Sequence, residues 1–96
     1  MPRAIVLHPS DNVATLIDAA NAGEACTLQG ESSGELRALT AIPFGHKICI
    51  RGISAGANVV KYGQVIGKAS ARIEVGAHVH AHNVESNRAR GDRAKE

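Results

Sequence analysis

At 96 residues and a formal net charge of +2, the chain has room for one hydrophobic core and lacks the basic excess of a nucleic-acid binder. Eight Val and eight Ile against five Leu favour pleated strands over helices, while sixteen Ala, ten Gly and no Trp predict a thin, small-residue core. No apolar run approaches the ~20 residues that cross a bilayer, and the N-terminus lacks the order of a signal peptide, so a cytoplasmic protein with no membrane partner is expected.

The chain opens with a short apolar strand over residues 4–7, followed by His8-Pro9-Ser10-Asp11. Ser10 and Asp11 have the chemistry of a helix N-cap. Val13, Leu16, Ile17 and Ala20 then recur at helical spacing, and Gly23 stands where a C-terminal cap belongs. One short N-terminal helix is therefore predicted. From Cys26 onward the pattern changes to short strands, over 26–28, 36–41, 47–51, 58–60, 65–69 and 79–82, separated by turns. The fold class is mainly β, a clip or small barrel. Cys26 and Cys49 lack CxxC spacing and read as small buried hydrophobes.

A short form repeats within the chain. Ile53-x-x-Gly56-x-x-Val59 and Ile73-x-x-Gly76-x-x-Val79 match each other, and Ala20-x-x-Gly23-x-x-Cys26 is a weaker third copy. Each reads as a turn with glycine at positive φ, followed by a strand. Residues 85–96 contain no large apolar side chain and are predicted to be a charged tail beyond a domain spanning 1–84.

The strongest chemical signal is His78-Val79-His80-Ala81-His82-Asn83. On a strand, the period of two sends His78, His80 and His82 to one face. Same-face neighbours lie roughly 6.5–7 Å apart, so two of these imidazoles can share a metal, while three on one flat strand strain the geometry. A pair of histidines completed from another strand or subunit is the better ligand set, and a solvated histidine face is the competing reading. Gly45-His46-Lys47 and Lys61-Tyr62-Gly63 place cations at turns, either to meet an anion such as a carboxylate or as ordinary surface lysines. Asp11-Asn12 reads first as a cap. No Walker loop, GxGxxG or Ser/His/Asp order is present.

Four stretches in order, His8-Pro9-x-Asp11-Asn12-Val13-Ala14, Ile42-Pro43-x-Gly45-His46-Lys47-Ile48, 60–67 (VKYGQVIG) and Gly76-x-His78-Val79-His80-x-His82-Asn83, together resemble the SAF-type domain of the altronate and galactarate dehydratase family. The resemblance extends over nearly all of residues 4–84 and implies a β-clip fold working with a much larger lyase domain or subunit on a sugar-acid substrate. It is also similar to the small alpha subunit of a sulfolactate-cleaving relative. It implies catalytic roles for His46, Lys47 and His80, substrate contacts from Lys61, Tyr62, Asn83 and Asn12, and a metal set of His78, His80 and His82. A divalent ion, Fe2+ or Mn2+, is expected in the complete enzyme. The competing functions are a non-catalytic ligand-binding or dimerisation module and a small histidine-rich metal-binding protein. A thin core also predicts a homodimer.

Overall fold

The computed structural model describes residues 1–86. The chain forms nine strands: β1 (Arg3–Val6), β2 (Val13–Leu16), β3 (Ala25–Gly30), β4 (Gly34–Arg37), β5 (Lys47–Cys49), β6 (Asn58–Lys61), β7 (Gln64–Ala69), β8 (His78–Val79) and β9 (Val84–Ser86). Six form one sheet in the order β4-β3-β1-β2-β5-β8, and three form a second in the order β6-β7-β9. All neighbours are antiparallel except β1 and β3. The mainly β fold is as the composition predicts. The expected boundary after Val84 falls inside β9, and the rest of the expected tail lies outside the described residues.

The predicted N-terminal helix is absent among the described residues, and its place is taken by β2. The edges of β2 pair with β1 and β5 and its two faces meet separate apolar clusters, so Val13, Ala14 and Leu16 are all buried. A doubly buried strand has no polar alternation, and its apolar run imitates helical spacing.

Alternation along β2 and β5 divides the interior into two cores. Ala14, Leu16 and Ile48 face a cluster with Ala4, Val6, Cys26 and Ile42, while Val13 and Cys49 face one with Ile53, Val59, Ile73 and Val79. Cys26 and Cys49 are unpaired and buried, one in each core. Burial pushes the Cys49 thiol up to about 11, so it packs as a neutral group.

The repeated sequence form is a turn used four times. Gly23, Gly45, Gly56 and Gly76 have φ of 81, 83, 82 and 91°. Each sits third in a turn closed by a backbone bond, from Glu24 N–H to Asn21 O, His46 to Pro43, Ala57 to Ser54 and Ala77 to Glu74. Positive φ at only this position defines a type II turn. Gly23, predicted as a helix cap, meets the same requirement for positive φ in a different setting. The residues just before the turns pair as well, Ala20 with Ile42 and Ile53 with Ile73. The copy at Ile42-x-x-Gly45-x-x-Ile48 departs from the other two isoleucine-led copies only in ending on Ile instead of Val.

Candidate functional site

Two of the four turns deliver the histidines. After Gly45 the chain runs through His46 into β5, and after Gly76 it runs into β8, which ends in His78-Val79. The strands pair antiparallel, Lys47 opposite Val79 and Ile48 opposite His78. Extending this register sets His46 opposite His80, on the face that also carries His78. The rings of His46 and His80 stack at 3.9 Å between centroids and 12° between planes. His46 Nδ1 lies 2.8 Å from His78 Nε2, a hydrogen bond in which one ring donates to the lone pair of the other.

The expectation that a single strand would carry His78, His80 and His82 on one face is corrected. The strand stops at Val79, because Asn83 turns the chain over: its side-chain oxygen accepts from His80 N–H at 3.0 Å and its amide donates to His78 O at 2.8 Å. The ligand atoms of His46, His78 and His80 all lie within 4.8 Å of one another, the single such group among the described residues. His82 stands beside this group, its ring 5.1 Å from that of His78 and tilted by 45°.

Burial, followed by the charges of His82, His46, His80 and Lys47, holds the proton affinity of His78 below the ordinary imidazole value. His80 is lowered too, by desolvation and then by His46, Lys47 and His82. The ammonium of Lys47 is depressed by burial and by the nearby charge of Lys61, which brings those two lysines into one electrostatic neighbourhood. A groove of about 260 Å3 is lined by Lys47, Ile66, His80, Ala81, Val84 and Ser86. Its lining mixes Lys47, His80 and Ser86 with Ile66, Ala81 and Val84, which suits a small anion with a carbon skeleton.

The remaining predicted residues sit elsewhere. Both ends of the Asn12 side-chain amide hold the β6 backbone, accepting from Val60 N–H at 2.8 Å and donating to Asn58 O at 2.9 Å. Tyr62 is at the tip of the β6–β7 hairpin with its ring exposed. The residue that sequence reasoning misread is Asp11. It is the one fully buried charged side chain described, and its carboxylate accepts from the N–H groups of His8, Tyr62 and Gly63. Only a hairpin about fifty positions away explains it, and no local signal reveals that partner.

A curled, mainly β clip domain with imidazoles and lysines gathered at the junction of two turn repeats is the class defined by fold and site. The family model of the altronate/galactarate dehydratase SAF domain matches residues 2–87, and the chain belongs to that family. It is similar to the (2R)-sulfolactate sulfo-lyase subunit alpha of Paracoccus pantotrophus, 41% identical over 66% of this chain and 96% of that one. The subunit of the same name from Chromohalobacter salexigens is 32% identical over 86% of this chain and 94% of its own length. Altronate dehydratase of Escherichia coli K12 is 37% identical over 86% of this chain, which spans only 16% of that enzyme. SAF domains of this kind therefore occur both as part of a long dehydratase and as a separately named small subunit.

Proposed function

We propose that this chain is the small subunit, or SAF module, of a lyase acting on a hydroxylated or sulfonated carboxylic acid, and that it works against a larger catalytic subunit. The observation that carries this reading is the convergence of His46, His78 and His80, with His80 and Lys47 lining one groove and Lys61 near enough for its charge to act on Lys47. Elimination next to a carboxylate needs a base for the proton on the adjacent carbon and positive charge for the enediolate that forms. Where no ion is bound, His80, exposed and held toward its neutral form, suits the base; with an ion on the three imidazoles its lone pair is taken and the base falls to the larger subunit. Lys47 and Lys61 suit the carboxylate: two ammonium groups that repel each other in the free protein gain from an anion between them. Three imidazoles also match the ligand preference of first-row divalent metals such as Fe2+, which when bound would polarise a substrate oxygen as a Lewis acid.

The near-complete coverage of two sulfo-lyase alpha subunits favours the separate-subunit arrangement and puts sulfolactate beside altronate and galactarate as candidate substrates. The test is to purify the tagged chain from its native source and to assay what accompanies it on a panel of sugar acids and on sulfolactate. Expected is a larger subunit, with an activity that disappears when this chain is omitted. Lys47→Met should lower kcat/KM of the complex on the order of a hundredfold, the usual loss when one charge-stabilising donor is removed. A chain recovered alone and inactive on every acid would instead make it a binding or dimerisation module. The dimer expected from the thin core is checked by sedimentation at high micromolar concentration.

A further inference from the structure

We propose that His46, His78 and His80 are the three protein ligands of one divalent first-row transition-metal ion. The His46–His78 contact is the starting point. A hydrogen bond between two imidazoles aims a ring N–H at the lone pair of the other ring, here across 2.8 Å. When the donating ring carries its proton on the other nitrogen instead, both rings stay neutral and their two lone pairs face one point where a cation can sit. In a tetrahedral site with metal–nitrogen bonds of ~2.0–2.1 Å, ligand nitrogens stand about 3.3 Å apart. The three nitrogens lie within 4.8 Å of one another before any ion is present. Two adjustments are needed: His46 and His78 open by about half an ångström from 2.8 Å, and His80, the exposed member, leaves its stack on His46 to bring its nitrogen in.

The scaffold favours the site. His46 directly precedes β5 and His78 opens β8, strands whose register is fixed by Lys47↔Val79 and Ile48↔His78, with Val79 and Ile48 buried in opposite cores. The backbone of the third ligand is clamped by Asn83, which also holds the carbonyl of His78. Ligands on rigid elements with supporting hydrogen bonds lose little entropy on binding. Three neutral imidazoles leave the ion its full charge and at least one open position, and Lys47 shares a groove with the ligand His80. A hydroxy acid would chelate there through its hydroxyl and one carboxylate oxygen. That use of the ion rests on the lyase reading, whereas binding of the ion rests on the histidine geometry alone.

The full chain, stripped with chelator, is titrated calorimetrically with Zn2+, and its Co2+ form is examined by visible absorption and X-ray absorption spectroscopy. Expected are one ion per chain and scattering from three imidazoles, the latter read on the unaltered protein so that no variant has to fold. His46→Gln, His78→Gln and His80→Gln should each weaken Zn2+ binding on the order of a hundredfold, at least the loss seen for supporting residues around a metal. His82→Gln and His8→Gln should shift it less than about threefold, and circular dichroism of each variant verifies folding. The proposal is overturned by fewer than three imidazoles on the ion, by equal losses in all five variants, or by an active lyase complex whose small chain binds no Zn2+ or Co2+. Tight, three-histidine binding in a chain that supports no lyase activity would uphold the site and remove the lyase reading.

Discussion

Asp11 shows how one side chain joins distant parts of the fold. Its carboxylate receives N–H groups from His8, Tyr62 and Gly63 while being fully buried, and it holds Tyr62 at φ 55° in the hairpin tip. A non-glycine residue at positive φ costs roughly 1–2 kcal/mol, which these bonds offset. Asp11→Ala would strand three buried or half-buried donors and should cost about 3 kcal/mol or more, read from urea unfolding. Asp11→Asn keeps one accepting oxygen and should lose less; equal losses would mean that volume, not hydrogen bonding, is what Asp11 supplies. Tyr62→Asn places a residue tolerant of positive φ in the turn and should leave stability unchanged or raise it by up to about 1 kcal/mol. Asn83 works similarly for the site, and Asn83→Ala should weaken the proposed metal binding by roughly tenfold through looser backbone at His78 and His80.

Among the elements, the type II turn is the repeated unit, and its four glycines are not equivalent. At Gly56 a Cβ would meet nothing within 4 Å, so Gly56→Ala should cost only the strain of positive φ, about 1 kcal/mol. At Gly76 the same Cβ would lie 2.2 Å from the carbonyl oxygen of Arg37. Gly76→Ala must move backbone and should lower the melting temperature well beyond Gly56→Ala; equal shifts would show that β4 yields to the added methyl. Since Gly76 leads directly into His78, that variant should disturb the histidine group as well. The turns were legible because Ile-x-x-Gly-x-x-Val repeats openly. Strand β2 was not, because burial on both faces removes the alternation by which strands are recognised.

For the whole molecule, the histidine cluster makes stability depend on pH. His78 and His80 have folded proton affinities below their ordinary value of 6.5. In the window just below 6.5 the unfolded chain therefore binds more protons than the folded one, and stability rises with pH. The sign is that of a depressed group: stability is intact above about 6.5 and declines as pH falls through the lowered values of the folded rings. In chelator, the urea midpoint should drop between pH 7.5 and 5.5, and drop less in a His78→Gln, His80→Gln double variant. Identical slopes in the two proteins would assign the loss to other groups. Both cores meet at β2 and β5, so unfolding should be a single cooperative transition reaching the site and the Asp11 junction together.

The sequence by itself determined the fold class, since β-branched residues divided by turn glycines leave few alternatives to a small β domain. It also singled out His46, Lys47, His78 and His80, because repeated imidazoles and turn cations are uncommon enough to notice without coordinates. The tertiary structure decided which of them meet. Pairing β5 with β8 brings residues more than thirty positions apart into hydrogen-bonding reach, and the Asn83 turn draws His80 in while His82 stays beside the group. It likewise decided that Asp11 and Asn12 hold the β6–β7 hairpin and cap no helix. Local pattern specifies periodicity and turn chemistry, whereas strand order is set by burying both cores at once, and that long-range constraint is absent from any short stretch of chain.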